Sequence, residues 1–200
     1  MDSIWLATGL AVAYIVVIVL TELLTRKLNV SSEITRRAMH IFSGLYTILI
    51  YYLLPAVEYL TLVIISLVVV VVSKKFNVLS SIHQVKRKTY GEVFLPVGTL
   101  TTYLISQAQA EIFVPSILIM TFADSFAGIV SDYYKTQKQS WQGSVVFFVT
   151  TTVILMLGGG ADIGLALLVA LGITLVERYT PYGVDNFTVP VASALVLLLL

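Results

Sequence analysis

The stretch Glu58-Tyr59-Leu60-Thr61-Leu62-Val63-Ile64-Ile65-Ser66-Leu67-Val68-Val69-Val70-Val71-Val72-Ser73-Lys74-Lys75 puts an acidic residue at one end of an apolar run and two lysines at the other. A run of this kind predicts a membrane-crossing helix with its lysines on the cytoplasmic side, because positive charge in short flanking loops sets orientation. Working outward from it, comparable apolar stretches cover Ile4 to Leu24, Met39 to Leu54, Ala56 to Val72, Val93 to Ile105, Ile112 to Val130, Val145 to Gly159, Ile163 to Val176 and Phe187 to Leu200. The expected fold is an all-α polytopic integral membrane bundle of about eight transmembrane helices. With 58% apolar and only 12% charged residues, the composition excludes an ordinary water-soluble core.

Alternate connections carry all the basic residues: Arg26, Lys27, Arg36 and Arg37, then Lys74, Lys75, Lys86, Arg87 and Lys88, then Lys135 and Lys138, then Arg178. The other connections and the N-terminus hold Asp2, Glu58, Glu111 and Asp162. The motif-bearing loops are therefore expected in the cytoplasm, with both chain ends outside. The first apolar run has no basic residue before it and reads as an uncleaved helix rather than a secretory signal. No cysteine is present, which removes disulfides, thiolate metal sites and cysteine nucleophiles. No linker or repeat divides the chain, so residues 1–200 read as one domain. A prokaryotic plasma membrane fits these features, and no nucleic-acid partner is expected.

The cytoplasmic connections hold the candidate chemistry. Glu33, Arg36, Arg37 and His40 follow i, i+3, i+4 and i+7 spacing and share one face of a helix that Ser31 or Ser32 can cap. Two guanidiniums beside an imidazole suit a phosphate, although a topogenic basic patch would use the same residues. The segment from Lys74 to Glu92 contains His83, Arg87, Lys88, Gly91 and Glu92, which suit a triphosphate or anionic headgroups. Asp124 lies about 18 Å along its helix from Ile112, beyond the midplane yet within the apolar stretch, and an intramembrane carboxylate is a functional candidate. Gly128 and Ser131 leave room beside it. The loop with Lys138, Ser140, Gly143 and Ser144 offers backbone N–H groups at a helix start. The last connection supplies Glu177, Gly183, Asp185 and Asn186; the latter two are oxygen donors of the kind Mg²⁺ accepts, or simply a helix cap.

In order, Glu33-x-x-Arg36-Arg37-x-x-His40, Gly91-Glu92, Ala123-Asp124, Gly143-Ser144, Glu177 and Gly183-x-Asp185-Asn186-x-x-x-Pro190 resemble the CTP-dependent lipid kinases: dolichol kinase, phytol kinase and yeast-type diacylglycerol kinase relatives. The resemblance spans about Glu33 to Pro190 and lies in the ordered set rather than in any one motif. The chain departs from the family pattern at Arg37, where lysine is common, at Ser131, Asp132 and Tyr134, and at Gln139, a frequent lysine position.

The resemblance implies phosphorylation of a membrane lipid alcohol, with CTP as donor and Mg²⁺ or another divalent cation as cofactor. It places Arg36, Arg37, Arg87 and Lys88 on the phosphates, with Gly91, Glu92, Lys138, Ser140, Gly143 and Ser144 as further nucleotide-binding positions. Asp124 or Asp185 is the implied metal ligand, with Asn186 assisting, and Asp124 is the better candidate to orient or deprotonate the alcohol. His40 either hydrogen-bonds phosphate or acts as an acid–base group. The alternatives are a cytidylyltransferase, which would release pyrophosphate, a transporter, which would also tolerate Glu22 and Asp124 within spans, and a scaffold that keeps the topology without binding nucleotide. The resemblance favours the kinase.

Overall fold

The computed structural model describes residues 2–28, 32–76, 89–134, 140–158 and 160–200. Its elements in chain order are α1 (Asp2–Leu28), α2 (Ser32–Leu53), α3 (Ala56–Phe76), α4 (Gly91–Ile105), α5 (Ala110–Leu118), a π-helical turn (Ile119–Ala123), α6 (Asp124–Tyr133), α7 (Trp141–Gly158), α8 (Ile163–Tyr179) and α9 (Asp185–Leu199). No strand occurs among the described residues. Each apolar stretch read from the sequence falls on a helix or, for Ile112 to Val130, on the continuous rod formed by α5, the π turn and α6. Four segments are long and apolar enough to cross a membrane: Asp2–Thr25, Ala56–Phe76, Ala110–Tyr133 and Trp141–Gly158. Helix α9 is apolar but shorter.

The Ala110–Tyr133 rod is the axis. In its most hydrophobic window 61% of residues are buried inside the protein, against 6% for α1, so the first helix is peripheral and the fifth apolar stretch central. Phe113, Ile117, Ile119, Met120 and Ala123 are almost wholly enclosed. Helix α9 packs against α4, α5 and α8, α7 lies between α6 and α8, and α3 lies along α4, whereas α2 and α3 touch little. That separation leaves a space between them.

Glycine and proline explain the tightest approach. Pro190 has no N–H, so the Asn186 carbonyl one turn earlier lacks its helical donor. A Cβ at Gly98 would strike that carbonyl oxygen, so glycine is what lets α4 close on α9 there. The connections gather at two ends of the bundle. At one end Ser3 Oγ donates to Glu58 Oε1 (2.7 Å) and Tyr51 donates to the Ala108 carbonyl (2.7 Å). At the other, Tyr90 N–H donates to the Tyr182 carbonyl (2.9 Å) and Arg178 Nη1 to Ser144 Oγ (2.8 Å). This second end carries the motifs.

Candidate functional site

Helix α2 begins at Ser32 and runs unbroken into the apolar run, so Arg36, Arg37 and His40 do stand along one helix. All three line a cavity of about 640 Å³ at the motif end. Gly91, Glu92, Asp124, Gly143, Glu177, Gly183, Asp185 and Asn186 line the same cavity. Residues spread from position 36 to position 186 therefore converge. Glu33, Ser140 and Ser144 do not line it. Arg87, Lys88 and Lys138, with His83, Lys86, Lys135 and Gln139, lie outside the described residues.

The π turn sits immediately before Asp124. Such turns widen the hydrogen-bond ladder from i→i+4 to i→i+5 and are frequent at functional sites. Here the Met120 carbonyl accepts a hydrogen bond from His40 Nε2 (3.0 Å). Because a carbonyl can only accept, Nε2 carries the proton and the tautomer is fixed. Asp124 Oδ2 lies 3.8 Å from the same nitrogen. The π turn thus seats imidazole and carboxylate side by side.

Arg37 is buried and donates from Nε to Asp132 Oδ2 at 2.7 Å. Its guanidinium lies on the backbone of Gly128, where a Cβ would overlap Nη1, Nη2 and Cζ. The room that the sequence reading left beside Asp124 for a ligand is filled in part by Arg37. Ser131 has a similar bridging role: its hydroxyl pairs with Ser140 Oγ (3.0 Å) and accepts from Ser140 N–H (3.2 Å). Ser140 Oγ in turn accepts from Gly143 N–H (2.9 Å), capping α7. The Gly143 N–H considered for an anion is engaged in that cap.

Gly91 and Gly183 form one joint. Gly183 has φ +80°, and a Cβ on it would meet the nitrogen and Cα of Gly91. Asn186 Nδ2 donates to the Gly91 carbonyl (2.8 Å), and Thr89 Oγ1 accepts from Gly91 N–H (3.2 Å). Lys74 Nζ reaches Glu92 Oε1 at 2.5 Å and the Thr89 carbonyl at 3.1 Å, tying α3 to the same joint. The two motifs that sequence treats separately are a single packed structure.

The donor set suits a divalent cation that keeps most of its shell from substrate and water. Among the described residues no hydrogen bond engages the Asp124 carboxylate. Asp185 Oδ1 accepts Asn186 N–H (3.0 Å), and Asn186 has its amide nitrogen committed to Gly91, so its oxygen is the atom left to coordinate. No group of three or more acidic or histidine side chains could hold a metal ion among the described residues. Mg²⁺ binds in this manner, through one or two carboxylates together with phosphate oxygens.

Several lining residues escaped the sequence reading as site members. Asp132 anchors Arg37 across 95 positions, and Arg178 lines the cavity although only its charge was noted. Tyr14 and Ser43, hydrogen-bonded at 2.8 Å, also line it; nothing in α1 distinguishes Tyr14 from a lipid-facing aromatic.

Among curated proteins the chain is similar to a phytol kinase of Synechocystis sp., with 28% identity over 211 residues that cover 96% of this chain and 91% of the relative. The similarity runs through nearly the whole of both chains and supports a relationship to the lipid kinases that the ordered motifs resemble. No family model and no solved structure gives a match.

Proposed function

We propose that the protein transfers the terminal phosphoryl group of CTP to the hydroxyl of a membrane-borne isoprenoid alcohol of the phytol, geranylgeraniol, dolichol or polyprenol type, releasing the lipid monophosphate and CDP. The observation that carries this reading is the convergence of Arg36, Arg37, His40, Asp124, Asp185 and Asn186 on one cavity whose remaining walls are largely apolar. The phytol kinase relative supports a prenol acceptor, and the ordered motifs support CTP.

In such a transfer the alcohol oxygen forms a bond to the γ-phosphorus while the bond to the β-phosphate oxygen breaks. Positioning and charge neutralisation do most of the work. Arg36 and Arg37 hold phosphate oxygens, and the Asp132 contact fixes the direction of Arg37. Asp124 orients the hydroxyl and receives its proton. His40, held as the Nε2–H tautomer by Met120, stands beside the carboxylate with Nε2 3.8 Å from Oδ2. Asp185 with the Asn186 oxygen, or Asp124 in its place, would hold Mg²⁺, which would neutralise charge on the phosphates. Arg178 and the Gly91–Gly183 joint shape the nucleotide end of the cavity.

Eight membrane crossings with both termini outside would place this end at the cytoplasmic face of a prokaryotic plasma membrane. Exposed Tyr90, Tyr133, Tyr134, Trp141, Tyr179 and Tyr182 ring the motif end, in keeping with an aromatic belt at a membrane interface.

The deciding experiment is purified protein in lipid nanodiscs with Mg²⁺, γ-labelled or α-labelled CTP, ATP or GTP, and a panel of prenols and diacylglycerol. Label passing from γ-labelled CTP to a prenol, and not from α-labelled CTP, is expected. Transfer of the α-label would establish a cytidylyltransferase, and no nucleotide binding would overturn the kinase reading and favour a scaffold.

A further inference from the structure

The cavity has a second limb beyond His40. It continues between α1, α2, α3 and α4, walled by Ile15, Ile18, Tyr46, Ile50, Val63 and Val70 among others. Along α2 the lining runs from Arg36 to Ile50, so the limb extends about 15 Å past His40 at 1.5 Å per residue. Ser66, also in this wall, turns its hydroxyl to the Val63 carbonyl (2.7 Å) and leaves the channel side less polar than its residue type suggests.

The limb is blind. One helical turn beyond the lining residues Val63 and Thr99 stand Tyr59 and Tyr103, whose ring centroids are 4.7 Å apart. Phe113 closes the group, with centroids 4.8 Å from Tyr51 and 6.1 Å from Tyr59. Tyr59 is 1% exposed and Phe113 0%, and none of these four rings lines the cavity. They form a packed floor across its end.

We propose that this limb receives the hydrocarbon tail of the acceptor alcohol and that the Tyr59–Tyr103–Phe113 floor limits the tail length accepted. The proposal rests on the lipid-alcohol reading above and deepens it. The occupant follows from continuity: the apolar limb and His40 and Asp124 line one cavity, so a molecule with its hydroxyl at the carboxylate has an apolar path along the limb for its chain. About 640 Å³ serves both ends, which suits a short prenol and leaves no room for a fully enclosed long polyprenol.

Two measurements on the full chain in nanodiscs test this. A farnesol analogue bearing a photoreactive diazirine on its terminal isoprene unit, with no nucleotide added, is expected to label Ile50 and Val63 themselves, located to the residue by fragment sequencing. Labelling confined to lipid-exposed positions such as Ile64 and Val68 overturns the proposal. In turnover assays with geraniol, farnesol and geranylgeraniol, Val63→Trp is expected to lower kcat/KM for geranylgeraniol about tenfold or more relative to geraniol, a size typical of pocket-length discrimination. Tyr59→Ala should shift preference toward the longer alcohols. Equal changes for all three alcohols in both variants overturn the length limit. Should Val63→Trp fail to fold, Val63→Phe and the labelling of the unaltered chain decide. Absence of phosphorylation of every alcohol by the unaltered protein would instead defeat the kinase reading, while the labelling pattern still reports on the limb.

Discussion

At its motif end the cavity is bounded by ion pairs and backbone approaches that link distant parts of the chain: Arg37 to Asp132, Lys74 to Glu92, and Gly91 to Gly183. At its blind end it is bounded by aromatic rings packed edge to face and tilted, with no charged group among them. The first kind of boundary places polar atoms where a ligand can use them. The second excludes everything else. Chemistry and stability should therefore be separable along the length of the cavity.

The separation would break if the blind end influenced chemistry directly. Phe113→Ala is expected to destabilise the protein by about 3–5 kcal/mol through lost packing, read as a lowered thermal midpoint in detergent, with KM for CTP unchanged. At the other end, Asp124→Asn should reduce kcat on the order of 100- to 1000-fold, the size seen when one electrostatic group is removed, with the thermal midpoint retained. A lowered midpoint there would mean that Asp124 is structural.

Smaller changes sharpen the contrast. Gly128→Ala forces a methyl against the Arg37 guanidinium and should cost about 1–3 kcal/mol as overpacking, together with a raised KM for CTP. Combining it with Arg37→Ala should recover the midpoint and leave CTP binding weak. Ser131→Ala removes the partner of Ser140 and should cost about 1 kcal/mol, with little change in the choice of alcohol. A change in alcohol preference from Ser131→Ala would place the tail at the wrong end of the cavity.

The helices were legible in the sequence because an apolar run bounded by charge has few alternatives. The convergence of Arg36, Arg37, His40, Asp124, Asp185 and Asn186 was legible only through the resemblance, since spacing says nothing about which helices meet. The Arg37–Asp132 pair was not legible: Asp132 read as a departure from the family pattern, and its partner lies 95 residues earlier. In the sequence, small residues such as Gly44, Gly98 and Gly128 suit either a tail lying between helices or helix packing. The space beside them is occupied by Thr121, by the α9 backbone and by Arg37, because small residues in membrane bundles mark where helices close. The tail limb lies instead where α2 and α3 diverge, and divergence has no residue signature. The blind floor was equally silent, as Tyr51, Tyr59, Tyr103 and Phe113 come from four separate helices.

The π turn at Ile119–Ala123 amounts to about one surplus residue in an otherwise α-helical rod. Removing a single codon within it would restore ordinary helix and, because the bulge absorbs its extra residue locally, leave the downstream register nearly unchanged. The Met120 carbonyl that accepts from His40 would then be drawn back into the α-helical ladder while the hydrophobic span stayed intact. One deletion could thus silence such a protein without unfolding it, leaving an inert membrane relative with an unremarkable sequence.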